Sequence, residues 1–388
     1  MVAIFIKRHK SMIRVSIFFF CIGCGIALCF LRIDCANAVN TVTSVTPVSA
    51  LQVATSGIEY AVLVLTSPLN EERRNVIRST WANFVSNIFL ENGERLYKWN
   101  HSWTGKRSNH DFIKVYFVVG TKGLSTEKLS MLKTESIRSN DMVLLDNLTD
   151  KYENLAMKMK LSFVWFHENV KNLKYIIKCD DDSFVRVDLI VKDLEAFAPQ
   201  MNSYTLNTYI SSQVKPSVTQ YQGLYWGYFN GHARVQLKGK WQEQDWFLCD
   251  NYLPYALGGG YVISRNIIDF IAKNAEILSS YRSEDISMGV WTAPLDGINR
   301  VHDVRFDTEW ISRGCHNHML VRHKQTTRDM FQMYKALVDS KGENLCKTET
   351  IERGAYEYKW NSRPSQCCNS LHHLFSRNKE NSPGNMKT

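Results

Sequence analysis

Hydrophobic positions between residues 59 and 200 fall into two regimes: short runs that are apolar almost throughout, and longer stretches with an apolar residue every three or four positions. Tyr60–Leu65, the run from Asp111 to Gly120, Met142–Leu145 and Tyr175–Ile177 belong to the first regime. They predict strands covered on both faces. The second regime predicts helices opening at Asn70, spanning 124–138, spanning 150–167 and running from Val187 to Phe197. In the third of these, Tyr152, Leu155, Met159, Phe163 and Phe166 point inward. Strand and helix alternate, which predicts an α/β fold on a mostly parallel sheet. Residues 83–110 are polar and aromatic without period and read as an insertion. Further on, Gly258, Gly259 and Gly260 stand just before another apolar strand, and Ser283 caps a helix whose first turn holds Glu284 and Asp285.

The ends of the chain follow different rules. Lys7, Arg8, Lys10 and Arg14 precede Val15–Leu31, a run of 17 residues without a charge. That pattern predicts an uncleaved signal-anchor, with residues 1–14 in the cytosol and everything after 31 in the lumen. A cleaved signal peptide is the alternative, because Cys35-Ala36-Asn37-Ala38 offers small residues downstream. A short span suits the thinner membranes of the early secretory pathway. Residues 32–58, rich in Ser, Thr, Val and Ala, read as a stem, 59–368 as one lumenal domain, and 369–388 as a disordered tail. The net charge is +9. With four positives in the first 14 residues, the remainder is too mildly basic to argue for nucleic acid. In an oxidising lumen Cys249, Cys315, Cys346, Cys367 and Cys368 make an odd count, so at least one thiol stays free unless Cys179 joins in. Asn100 and Asn147 head N-glycosylation acceptor sequences.

Candidate chemistry centres on Asp180, Asp181 and Asp182, where an apolar strand stops in three adjacent carboxylates. Mutual repulsion asks for a cation against them, and open α/β sheets place ligands at the carboxyl ends of their strands. A solvated acidic turn is the plain alternative. An EF-hand starting at Asp180 needs Gly at the place of Val185 and Glu at the place of Val191, and an aspartyl-phosphatase loop needs Thr at the place of Phe184. Neither fits, which leaves the Asp-x-Asp of nucleotide-sugar transferases. Arg74 and Arg78 share a helical face and either reach a phosphate or pair with nearby acids. Glu284 and Asp285 either complement a helix dipole or include a general base. Near the end of the domain, His323 and Lys324 close a strand-like stretch, and His323 is a donor of the kind a carboxylate-bound metal still needs.

The motifs E72RRNVIRSTW81, K178CDDDSF184, Y255ALGGGYVIS264 and S283EDISMG289, in that order, resemble the β-1,3-galactosyltransferase family, glycosyltransferase family 31. The resemblance spans nearly the whole lumenal domain. It implies a GT-A catalytic domain, a type II Golgi membrane protein, UDP-galactose as donor, Mn²⁺ as cofactor, and transfer with inversion. Further segments (L248CDNYLPYALGGG260, R305FDTE309, R313GC315, H323KQ325, P364SQCC368) are most similar to the branch that adds the second galactose of the glycosaminoglycan–protein linker. The implied acceptor is then Galβ1,4Xyl on proteoglycan core proteins, in heparan sulfate and chondroitin sulfate synthesis, with homo- or hetero-oligomers among the linker enzymes. The resemblance assigns Asp182, Asp180 and His323 to the metal and Asp285 to the base. Asp181, Arg74, Arg78, Gly258–Gly260, Glu284 and Lys324 go to the substrates, the glycines by letting backbone approach the donor sugar. A transferase acting on N-glycans, O-glycans or glycolipids, and a non-catalytic folding partner, are the other readings; the second loses force because the Asp triplet and Asp285 are both intact.

Overall fold

The computed structural model describes residues 55, 57–91, 94–97, 112–201, 223–363 and 366–368. The apolar run at 15–31, most of the stem, Asn100 and the tail at 369–388 lie outside the described residues. Among the described residues no helix is long and apolar enough to cross a membrane.

The chain begins with β1 (Tyr60–Leu65), α1 (Glu71–Ser79), a hairpin of β2 (Ile88–Glu91) and β3 (Glu94–Tyr97), β4 (Ile113–Gly120), α2 (Thr126–Ser139) and β5 (Met142–Leu145). It continues through α3 (Leu155–Asn169), β6 (Tyr175–Asp180), β7 (Phe184–Val185), α4 (Val187–Met201), β8 (Gly223–Asn230) and β9 (Tyr255–Ser264). Then come α5 (Arg265–Lys273), α6 (Glu284–Thr292), β10 (Ile298–His302), β11 (Phe306–Asp307) and β12 (Gly314–Cys315). The last elements are β13 (Val321–Arg322), α7 (Thr327–Asp339) and β14 (Thr350–Ile351). The predicted helix at 150–167 is α3 entered through a 3₁₀ turn at Tyr152–Asn154.

Seven strands form the central sheet in the order β10-β8-β9-β6-β1-β4-β5. β1 pairs in parallel with β4 and β6, and β4 with β5. β10 pairs in parallel with β8, and β9 alone runs antiparallel to its neighbours β6 and β8, so the sheet is mostly parallel, as expected. Side chains alternate across β1 as strand geometry requires. Tyr60, Val62 and Val64 meet Val76 and Ile77 of α1, Ile190 of α4 and Met330 of α7 on one face. Ala61, Leu63 and Leu65 meet Met159 and Phe163 of α3, Ile267 of α5 and Trp291 of α6 on the other. The result is a three-layer α/β/α domain whose core already takes in Ile58, one residue ahead of the expected start.

Two features position the site. In the β1–β6 register Leu65 lies opposite Asp180, so both strands deliver their carboxyl ends to one edge. A second small sheet, β11-β13-β7, then carries the chain immediately after the Asp triplet against the strand that leads into His323. Cys315 is bridged to Cys346 and Cys367 to Cys368, which leaves buried Cys179 and exposed Cys249 as free thiols among the described residues. Asn147 is exposed in the turn after β5.

Candidate active site

Asp180, Asp181 and Asp182 do not act as a unit, because Asp180 ends β6 while Asp181 and Asp182 occupy the turn closed by the Ser183 N–H on the Asp180 carbonyl. Asp180 and Asp182 turn toward His323, and the three offer ligand atoms within 4.8 Å of one another. His323 Nε2 lies 3.0 Å from Asp182 Oδ1 and 3.5 Å from Asp180 Oδ2. Asp181 turns away. Its Oδ2 accepts hydrogen bonds from Thr66 Oγ1 and Asn70 Nδ2, both at 2.7 Å, and its Oδ1 lies 3.4 Å from Arg73. Asp181 thus ties the turn between β1 and α1 to the triplet, and Asn70 holds it instead of capping α1 through its side chain.

Backbone hydrogen bonds hold the His323 segment in place. Asp307 O accepts from His323 N, and Asp182 O accepts from Gln325 N at 2.8 Å. Between them, Lys324 has a positive φ of 61° and directs Nζ to 3.3 Å from Asp182 Oδ2. Burial disfavours an imidazolium, but the close carboxylates of Asp180 and Asp182 outweigh it and push His323 up to about 9. The same histidine, close beside it, holds Asp182 below the usual carboxylate range despite its burial. Yet His323 Nε2 is buried without a hydrogen bond of acceptable geometry, although carboxylate oxygens stand close by. A buried imidazole nitrogen aimed between two carboxylates is the donor set of a hard-to-borderline divalent cation, and a metal would take the place of the proton there. The residues therefore fit a divalent cation of the class that includes Mn²⁺.

Lys178 is the residue that sequence reasoning missed. It sits in β6 among apolar neighbours, is fully buried, and donates to Asp180 Oδ1 at 3.0 Å. The same ammonium bonds the Glu284 carboxylate and the Gly258 carbonyl. Burial opposes its charge, but Asp180 and Glu284 prevail and raise its pKa. A lysine inside an otherwise apolar strand, two residues ahead of clustered acids, was the available signal.

Asp285 opens α6 beside Glu284. Its Oδ2 accepts from Gly258 N at 3.0 Å and its Oδ1 from Ile286 N at 2.9 Å. Burial and the charge of Glu284 push it up to about 7, against Lys178 and the two backbone donors. That is the range suited to a general base at neutral pH.

The three glycines lie inside β9 rather than ahead of it, and they serve packing between elements. A Cβ on Gly259 would stand 2.6 Å from the His323 ring, one on Gly260 2.9 Å from Val321, and one on Gly258 3.0 Å from the Glu284 carboxylate. The space where their Cβ atoms would stand is taken up by protein, so packing alone accounts for the missing side chains.

Arg74 and Arg78 also require correction. Arg74 is fully buried, with Nε and Nη2 on Glu135 at 2.8 and 2.6 Å and Nη1 on the Ser67 carbonyl. Arg78 spans Asp141 and Glu135. Pairing with nearby acids is thus their role, and it joins α1 to α2. The arginine that reaches the triplet is Arg73, 3.4 Å from Asp181 and 4.0 Å from Asp182 and partly exposed. A helix turns about 100° per residue, so Arg73 and Arg74 cannot share a face.

The family model described as Galactosyltransferase matches residues 72–304. Beta-1,3-galactosyltransferase 6 of Mus musculus is 39% identical over 308 residues, 79% of this chain and 82% of that protein. UDP-GalNAc:beta-1,3-N-acetylgalactosaminyltransferase 2 of Xenopus laevis is 28% identical over 206 residues, 53% of this chain but only 37% of its own length. Hydroxyproline O-galactosyltransferase GALT2 of Arabidopsis thaliana is 28% identical over 221 residues, 56% of this chain and 28% of its own.

Proposed function

The chain belongs to the galactosyltransferase family, and from that premise we propose that it is a β-1,3-galactosyltransferase using UDP-galactose and a terminal β-galactoside, Galβ1,4Xyl of the glycosaminoglycan–protein linker. The observation that carries the proposal is the convergence of Asp180, Asp182 and His323 on one side of Lys178, with Glu284 and Asp285 on the other. The fold is of GT-A type in this reading. The enzyme is a type II Golgi membrane protein with this domain in the lumen. Likeness to the Mus musculus relative over most of both chains supports the choice of donor and linkage.

Asp180, Asp182 and His323 would hold Mn²⁺, which when bound supplies a Lewis acid toward the leaving diphosphate. Lys324, partly exposed beside Asp182, and Arg73, partly exposed beside Asp181, add fixed positive charge for the same phosphates. Asp285 takes the proton from the acceptor 3-hydroxyl as its oxygen attacks the anomeric carbon from the face opposite UDP. The new bond joins that oxygen to C1. The bond from C1 to the β-phosphate oxygen breaks, and UDP leaves with the electron pair, so configuration inverts. Lys178 binds neither substrate in this scheme. It keeps Glu284 and Asp180 paired, so that both carboxylates persist in a buried site while Asp285 alone is left to exchange a proton.

The test is a donor and acceptor screen of the purified protein with Mn²⁺, including UDP-N-acetylgalactosamine and UDP-N-acetylglucosamine as competing donors and N-glycan, O-glycan and glycolipid acceptors. We expect galactose in β1,3 linkage on Galβ1,4Xyl. Preferred use of an N-acetylhexosamine donor, or a β-galactoside acceptor outside the linker, would replace the corresponding half of the proposal.

A further inference from the structure

We propose that Trp241 and Trp310 form an aromatic platform that seats the terminal sugar of the acceptor; this rests on the galactoside acceptor proposed above. Both indoles are unusually open for their size, at 38% and 66% exposure. They pack edge to face with ring centroids 5.2 Å apart, although 69 residues separate them in the chain. Exposed, paired tryptophans in a soluble domain mark a contact surface rather than a core.

Their placement selects the ligand. Lys324 Nζ lies 5.3 Å from the Trp310 ring centroid, and the same ammonium is 3.3 Å from Asp182. Trp241 lies in a segment tied to the start of α6: Lys240 O accepts from Arg282 Nε at 3.2 Å and Glu243 Oε2 from Arg282 N at 2.8 Å, three residues ahead of Asp285. One end of the pair thus adjoins the carboxylate–histidine cluster, and the other is carried by the segment bonded to the chain just ahead of Asp285. A group resting on both indoles lies next to the hydroxyl that Asp285 must deprotonate, and that is where the acceptor belongs.

Sugar chemistry fits the surface. The axial 4-hydroxyl of galactose leaves the C–H groups at C3, C4 and C5 together on one face of the ring. That face is apolar and carries small positive partial charge, so it stacks on the electron-rich face of an indole. A β-galactoside seated this way keeps its 3-hydroxyl at the rim of the contact, free to meet a base.

The experiment compares the full-length wild type with Trp310→Ala, Trp241→Ala and Trp310→Tyr. Calorimetry measures binding of Galβ1,4Xyl in the presence of UDP and Mn²⁺, and UDP affinity is measured separately. We expect each alanine variant to weaken acceptor binding by about tenfold or more, the loss typical of an aromatic anchor, with UDP affinity within about twofold of wild type. Trp310→Tyr should recover most of the loss, and in kinetics the acceptor KM should move more than kcat. Acceptor affinity unchanged in both alanine variants overturns the platform, as does equal loss of UDP and acceptor binding. If the wild type prefers a different terminal sugar, the galactoside reading fails, while dependence of that sugar's binding on the two tryptophans still decides the platform.

Discussion

At Asp285, burial and the neighbouring charge of Glu284 hold a carboxyl near neutrality, and this sets two expectations. If Asp285 is the base, transfer rate rises with pH through about 7 and levels above it, and Asp285→Asn both removes that limb and lowers kcat. General-base catalysis is worth about 10²- to 10⁴-fold, so the loss should be of that order with UDP affinity nearly intact. A residual rate above a tenth of wild type would assign the proton elsewhere. The same shift affects folding. A carboxyl whose folded pKa lies above its unfolded value binds more protons in the native state, so stability falls as pH rises from about 4 to about 7. Asp285→Asn should therefore gain melting temperature over wild type at pH 8 and little at pH 4. Arg74 is the contrasting residue. Arg74→Ala removes the bidentate partner of buried Glu135 and leaves it with Arg78 alone, and losing hydrogen bonds to a buried charged group costs about 1.5–3 kcal/mol. Urea unfolding should show that loss, whereas Arg73→Ala should leave the midpoint nearly unchanged and weaken UDP binding.

Among elements, the contact between β9 and the His323 segment decides the metal site. Gly259 permits an approach that a single methyl group would block, and the ring it would strike is buried between two strands with little room to move. Gly259→Ala should therefore lower Mn²⁺ affinity, read by calorimetry without substrates, although residue 259 is no ligand. His323→Ala should lower it too, and Asp182→Asn should lower it further and also reduce UDP binding. Unchanged Mn²⁺ affinity in all three would remove the cation from this cluster. The helices were legible from their periodicity. α2 keeps its expected bounds within two residues, α3 starts five residues later than expected, behind a 3₁₀ turn, α4 runs four residues further, and β1, β4, β5 and β6 follow the apolar runs. The direction of β9 was not legible, because an apolar strand carries no mark of whether its neighbour runs with or against it.

For the whole molecule, the Cys315–Cys346 bridge closes a loop of 31 residues that carries β13 and α7, and with them the His323 segment. Chain-entropy reasoning gives such a loop about 2–4 kcal/mol. Cys315→Ser should lower the melting temperature under oxidising conditions, and added reductant should lower that of the wild type more than that of the variant, in which Cys367–Cys368 is the bridge left to open among the described residues. The order strand–helix–strand, the Asp triplet at a strand end and Asp285 at a helix start were all determined by the sequence, because each is a local pattern of polarity or charge. Tertiary structure alone decided which carboxylates converge. Asp180 and Asp182 meet a histidine 141 residues beyond Asp182 in the chain, while Asp181, between them, faces the opposite way toward Thr66 and Asn70. It also decided that Arg74 pairs inside while Arg73 reaches the site, and that Lys178 bridges Asp180 to Glu284. Local patterns state which side chains share an element's face; the pairing of charges between elements depends on sheet order and register, which no local pattern specifies.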